Sequence, residues 1–125
     1  MKLKTKKIEK WLEVERGNAK AEFLCTILTP KEASALLQET QRVTWDRNQR
    51  FTDPDYYKFK KKLIEKTIID WKGIEDENGA VLPCTTENKE LVYAFNPDII
   101  DEVINKIQAE TEKIGEDEEI ERKNL

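Results

Sequence analysis

The chain of 125 residues is 38% hydrophobic and 38% charged, with a net charge of -4. That length suits one domain with a core of its own, and the charge excess over the ~25% of ordinary domains reads as solvated faces and tails. Histidine is absent, which removes the commonest general base and the commonest zinc ligand, and no apolar run approaches the ~18 residues of a membrane span.

Residues 8–28 read as two antiparallel strands. Ala19, Ala21, Phe23, Cys25 and Ile27 fall on one face of the second, while Ile8, Leu12 and Val14 share a face of the first. This is the period of a half-buried strand. Arg16-Gly17-Asn18 suits the tight turn between them. Thr29-Pro30-Lys31-Glu32 has the form of a capping box with proline at the first helical position. The helix it opens carries Ala33, Leu36 and Leu37 and is expected to end near Arg42. Val43-Thr44-Trp45 is a candidate third strand, followed by a polar loop from Asp46 to Arg50.

A second helix is announced by Thr52-Asp53-Pro54, with Asp53 as cap. Its apolar stripe runs from Tyr56, Tyr57 and Phe59 through Leu63, Ile64 and Ile68 to Trp71, with Gly73 as its stop. Asn78-Gly79, between Ile74 and Val81, marks a turn. A short third helix after Thr85 carries Leu91, Val92 and Phe95. A fourth opens at Asn96-Pro97 and carries Ile100, Val103, Ile104, Ile107 and Ile114. The expected fold class is α+β: an N-terminal antiparallel hairpin or small sheet packed against about four helices. Residues 1–114 form one domain in this reading, and Gly115 ends the order ahead of an acidic disordered tail over 115–125.

The residues with chemical potential form no catalytic set. Ser34 lies inside a helix and Cys25 inside a strand, and neither has a histidine to activate it. Cys25 and Cys84 have no metal-ligand or redox spacing, so reduced thiols and a cytoplasmic location are expected. The lysine-bearing start lacks the apolar segment of a secretory signal. Glu75-Asp76-Glu77 has acids in succession rather than at the alternating positions of a calcium loop, and reads as a solvated turn. No phosphate-binding glycine loop is present. The expectation is therefore no enzyme activity, no cofactor and no metal. Lys58, Lys60, Lys61, Lys62 and Lys66 give the second helix a basic stripe that reads first as a solvated face, then as a protein contact, and last as a nucleic-acid footprint. Trp71 reads as a core anchor. Trp11 shares a solvent-leaning face with Glu13 and Glu15, either covering a helix or anchoring a partner. Trp45 is open in either direction.

One stretch resembles a known pattern. Ile69-Asp70-Trp71-Lys72-Gly73, the acidic turn Asp76-Glu77-Asn78-Gly79, and Leu82-Pro83 followed by Thr85-Thr86-Glu87-Asn88 resemble the small tail assembly chaperones of phages and prophages. Ile27-Leu28-Thr29-Pro30 is compatible with the same family, while Cys84 departs from it, standing where an aromatic or another apolar residue is expected. The resemblance implies a chaperone that binds the tape measure protein, or the tail tube protein, in the bacterial cytoplasm during tail morphogenesis and leaves before the virion is complete. It implies no catalytic residues. The contact residues expected on this reading are Trp11, Trp45, Tyr57, Asp76 and Asn78, in a monomer or small oligomer. The alternatives are a structural tail or neck component retained in the particle and a small nucleic-acid-binding regulator using the lysine-rich helix.

Overall fold

A computed structural model describes the backbone of residues 1–123 and the side chains of residues 1–115. It is an α+β fold. The elements run β1 (Ile8–Arg16), β2 (Ala19–Ile27), α1 (Pro30–Glu39), β3 (Gln41–Asp46), β4 (Gln49–Pro54), α2 (Tyr56–Thr67), β5 (Ile68–Lys72), α3 (Thr86–Phe95) and α4 (Pro97–Lys123). One antiparallel sheet has the order β1-β2-β5, and β3 and β4 pair only with each other.

The β1–β2 hairpin follows its residue alternation. Leu12 pairs with Phe23 and Val14 with Ala21, so the middle of one face is apolar and packs beneath α2 and α4, while Lys10 and Arg16 on the same face pair with Glu110 and Glu102 of α4. Gly17 has φ +60 and Asn18 does not share the positive φ, the pattern of a type II′ turn matched to the strand twist. The capping box of α1 is complete: the Thr29 hydroxyl accepts from the Glu32 amide and the Glu32 carboxylate accepts from the Thr29 amide, both at 3.2 Å. Lys7 donates to the same carboxylate at 2.6 Å. The N-terminus of α4 gives the core its Ile100, Val103, Ile104 and Ile107, all essentially inaccessible. This is the 3.6-residue stripe visible in the sequence.

Four expectations are corrected. First, α1 ends at Glu39, not near Arg42, and Thr40 closes it through a hydroxyl that donates to Leu36 O at 2.8 Å. Second, the region read as a loop and a helix cap is strand β4, so residues 41–54 form a complete hairpin. Its turn residues Arg47 and Asn48 both have positive φ, +50 and +65, the geometry of a type I′ turn without the usual glycine. Asp55, not Asp53, then caps α2, accepting from the Lys58 amide at 3.2 Å.

Third, α2 ends at Thr67, and Ile68 enters β5 with no intervening loop. The helical period ran on to Trp71 because Ile68 and Trp71 point inward in either structure, but the β-branched run Thr67-Ile68-Ile69 favours the extended chain. Ile69 is the extra residue of a bulge, since Cys25 pairs with Ile68 while Leu24 pairs with Asp70. Gly73 therefore stops no helix. Its φ is +80, and a Cβ there would lie 2.5 Å from the Lys20 carbonyl oxygen, so glycine allows β5 to close against β2. Fourth, Gly115 lies inside α4, facing the Pro30 ring. The helical backbone continues to Lys123. The side chains of the acidic segment beyond Gly115 lie outside the described residues.

Candidate protein-binding surfaces

The stretch that carries the family resemblance forms a structural knot between β5 and α3. Trp71 packs edge-on against Phe23, with ring centroids 6.2 Å apart, and its indole N–H donates to Leu82 O at 2.7 Å. Pro83 O accepts from the Asn88 side chain at 2.9 Å, and Thr85 caps α3 by accepting from the Asn88 amide at 3.1 Å. The carboxylate of Asp76 accepts from the Asn78 and Ala80 amides at 2.8 and 2.9 Å. Asp76 is thus occupied in holding its own turn, whereas Asn78 is exposed beside it.

The remaining expected contact residues occupy three separate surfaces. Trp11 lies on the sheet face away from the helices, 39% exposed, with the Lys72 ammonium 4.4 Å from its ring centroid. That cation–π contact ties Trp11 of β1 to Lys72 of β5. Around it stand Glu9, Glu13, Glu15 and Glu22. The Glu13 carboxyl lies below its usual range because Lys20 hydrogen-bonds to it.

Trp45 is 68% exposed on the β3–β4 hairpin, hereafter the arm. Every residue of the arm is exposed. Trp45 faces Arg50 across the strands and Val43 faces Thr52, while Phe51 lies on the opposite face with Thr44. The apolar residues are split between two faces, so neither face can be buried as a unit.

Tyr57 lies on the wall of an open groove of about 460 Å³ between α2 and α3. Its ring packs against Tyr93 at 5.7 Å and a tilt of 51°. Ile64, Leu91 and Ala94 supply further apolar lining, Lys61, Glu65, Glu87 and Glu90 supply the rim, and the buried Lys89 also lines the groove. Lys61 pairs with Glu90 across the groove at 3.5 Å. Burial raises the Tyr93 hydroxyl above its ordinary value. Sequence reasoning found Tyr57 but not its partners Tyr93 and Leu91, because the groove exists only where two helices distant in sequence meet. A smaller cavity of about 300 Å³ lies between Leu28, Phe59, Leu63 and Ile107.

The basic stripe of α2 is partly neutralised by its neighbours. Lys60 pairs with Asp101 at 3.0 Å, and Lys62 and Lys66 both reach Glu39 at 3.7 and 3.8 Å. Cys25 is wholly buried, and its surroundings push the thiol up to about 12, so it is a packing residue and a poor nucleophile. Among the described residues, no group of three or more metal-ligating side chains is assembled and no helix is long and apolar enough to cross a membrane. The fold and its surfaces define a helix-capped antiparallel domain with an open apolar groove. No family model, curated protein or solved structure matches the chain.

Proposed function

We propose that this protein is a non-enzymatic assembly chaperone of the phage or prophage tail type. It holds an amphipathic helix or loop of a tape measure protein, or of a tail tube protein, before the tail tube polymerises. The observation that carries this reading is the open groove between α2 and α3, with 62%-exposed Tyr57 and 52%-exposed Leu91 on its walls. An apolar trough between charged rims is the shape that receives an amphipathic helix, and the family resemblance names the client. The pairing of Lys60, Lys61, Lys62 and Lys66 with three carboxylates of α1, α3 and α4 reduces the basic field that a nucleic-acid regulator would need.

The test is co-expression with the tape measure protein encoded in the same genome, followed by size-exclusion chromatography. A soluble complex that Tyr57→Ala with Leu91→Ala abolishes would support the proposal. A tape measure protein that stays insoluble and unbound would overturn it.

A further inference from the structure

The arm and the groove are complementary to each other. The arm carries exposed Trp45 and Phe51 together with Arg42, Arg47 and Arg50, against two acids, Asp46 and Asp53. Its tip, from Trp45 to Arg50, sets Arg47 and Arg50 against Asp46 and is aromatic with a net positive charge. The groove is aromatic, and its three carboxylates outnumber the ammonium groups of Lys61 and the buried Lys89. Lys61 is already matched by Glu90, and Glu65 and Glu87 on the rim are exposed and have no ion pair among the described residues. A two-stranded hairpin with nothing packed on it is marginally stable in water, so the arm gains order from whatever covers it.

The arm's own root settles where a partner copy would lie. β4 ends at Pro54, and Tyr57 of the groove follows within the first turn of α2. Arm and groove therefore share one end of the molecule. A strand of this length reaches about 20 Å from its root, so two copies facing each other at that end can each extend an arm toward the other's groove. Such a reciprocal contact closes as a two-fold dimer rather than propagating as a filament.

We propose that the β3–β4 arm of one copy seats in the α2–α3 groove of a second copy, with Trp45 against Tyr57, Tyr93 and Leu91 and with Arg47 and Arg50 against Glu65 and Glu87. The inference stands on these two surfaces and does not depend on what the client is. Because the proposed client enters the same groove, dimer and client complex exclude each other.

The test is sedimentation equilibrium of the full chain without any client. A reversible dimer is expected, weakened by salt because its rim contacts are charged and exposed. Trp45→Ala should weaken it about 30-fold, the scale of losing a central aromatic anchor. Arg47→Glu with Arg50→Glu in the arm, and separately Glu65→Lys with Glu87→Lys in the groove, should each give monomers. An equimolar mixture of those two variants should form a heterodimer, since each arm then meets a groove of opposite charge. All these side chains are exposed, and circular dichroism checks that each variant keeps its fold. A wild-type chain that stays monomeric into the millimolar range would overturn the proposal. So would a dimer indifferent to Trp45→Ala, or a charge-swapped mixture that fails to associate. None of these outcomes bears on whether the groove binds a tape measure protein.

Discussion

The molecule contains two antiparallel hairpins with opposite fates. In β1–β2 most of the apolar residues of both strands meet on one face, as Leu12 with Phe23 and Val14 with Ala21, with only the Trp11–Leu24 pair on the other, and the first face is sealed by helices. In β3–β4 the register sets Trp45 against Arg50 and Phe51 against Thr44, and the arm stands in solvent. Local turn geometry suffices to make a hairpin. Agreement between the two strands about which face is apolar is what makes it part of a core.

The largest effect expected to sharpen this contrast is Phe23→Ala, which removes a fully buried ring that touches Trp71. It should cost about 4 kcal/mol in urea unfolding, whereas Trp45→Ala on the arm should change global stability by less than ~0.5 kcal/mol. A comparable loss from Trp45→Ala in the monomer would break the comparison. Next in size is Gly73→Ala, expected to cost roughly 2 kcal/mol because of its φ of +80 and the Lys20 carbonyl at 2.5 Å. Gly79 has a similar φ but open space around it, so Gly79→Ala should cost about 1 kcal/mol, measured by the same unfolding curves.

These two glycines also show what was legible in advance. Asn78-Gly79 declares its turn locally. Gly73 reads in sequence as a helix stop, and only the approach of β5 to β2 gives it its real task. The helical period from Tyr56 to Trp71 misled for a related reason. Ile68 and Trp71 face the core under either period, and the β-branched run Thr67-Ile68-Ile69 becomes a strand because the open edge of β2 lies beside it.

A smaller effect concerns the arm alone. Arg47→Asn with Asn48→Gly supplies the residues that a type I′ turn prefers. Amide hydrogen exchange across residues 41–54 should slow by a few-fold, with the global unfolding midpoint unchanged. Unchanged exchange would show that the turn is not what limits the arm's order.

The smallest effect is pH-dependent and belongs to the body. The Glu32 and Glu110 carboxyls lie below the ordinary value of 4.5, chiefly because Lys7 and Lys10 hydrogen-bond to them. The folded state therefore binds these protons less readily than the unfolded state does. The stabilisation is complete above the ordinary carboxylate range and fades as pH falls through the lowered folded values. Lys7, Glu32 and Lys10 are exposed and Glu110 is only partly buried, so the contribution is small. Lys7→Met with Lys10→Met should flatten the acid limb of a plot of urea midpoint against pH. An acid limb unaltered by both substitutions would assign the acid sensitivity to other carboxylates.

The α+β class, the β1–β2 hairpin, the caps at Thr29 and Thr85, the start of α4 at Pro97 and the apolar stripe of α4 were all written in local sequence. Each of these depends on residues within a turn or two of one another. Packing set the rest: β5 as a third strand, the task of Gly73, the bare arm, the ion pairs of the α2 lysines, and the groove that joins Tyr57 to Tyr93 and Leu91. The physical reason is that strand pairing, ion pairing between elements and the faces of a groove are set by which segments come to lie side by side, and that is a property of the packed chain.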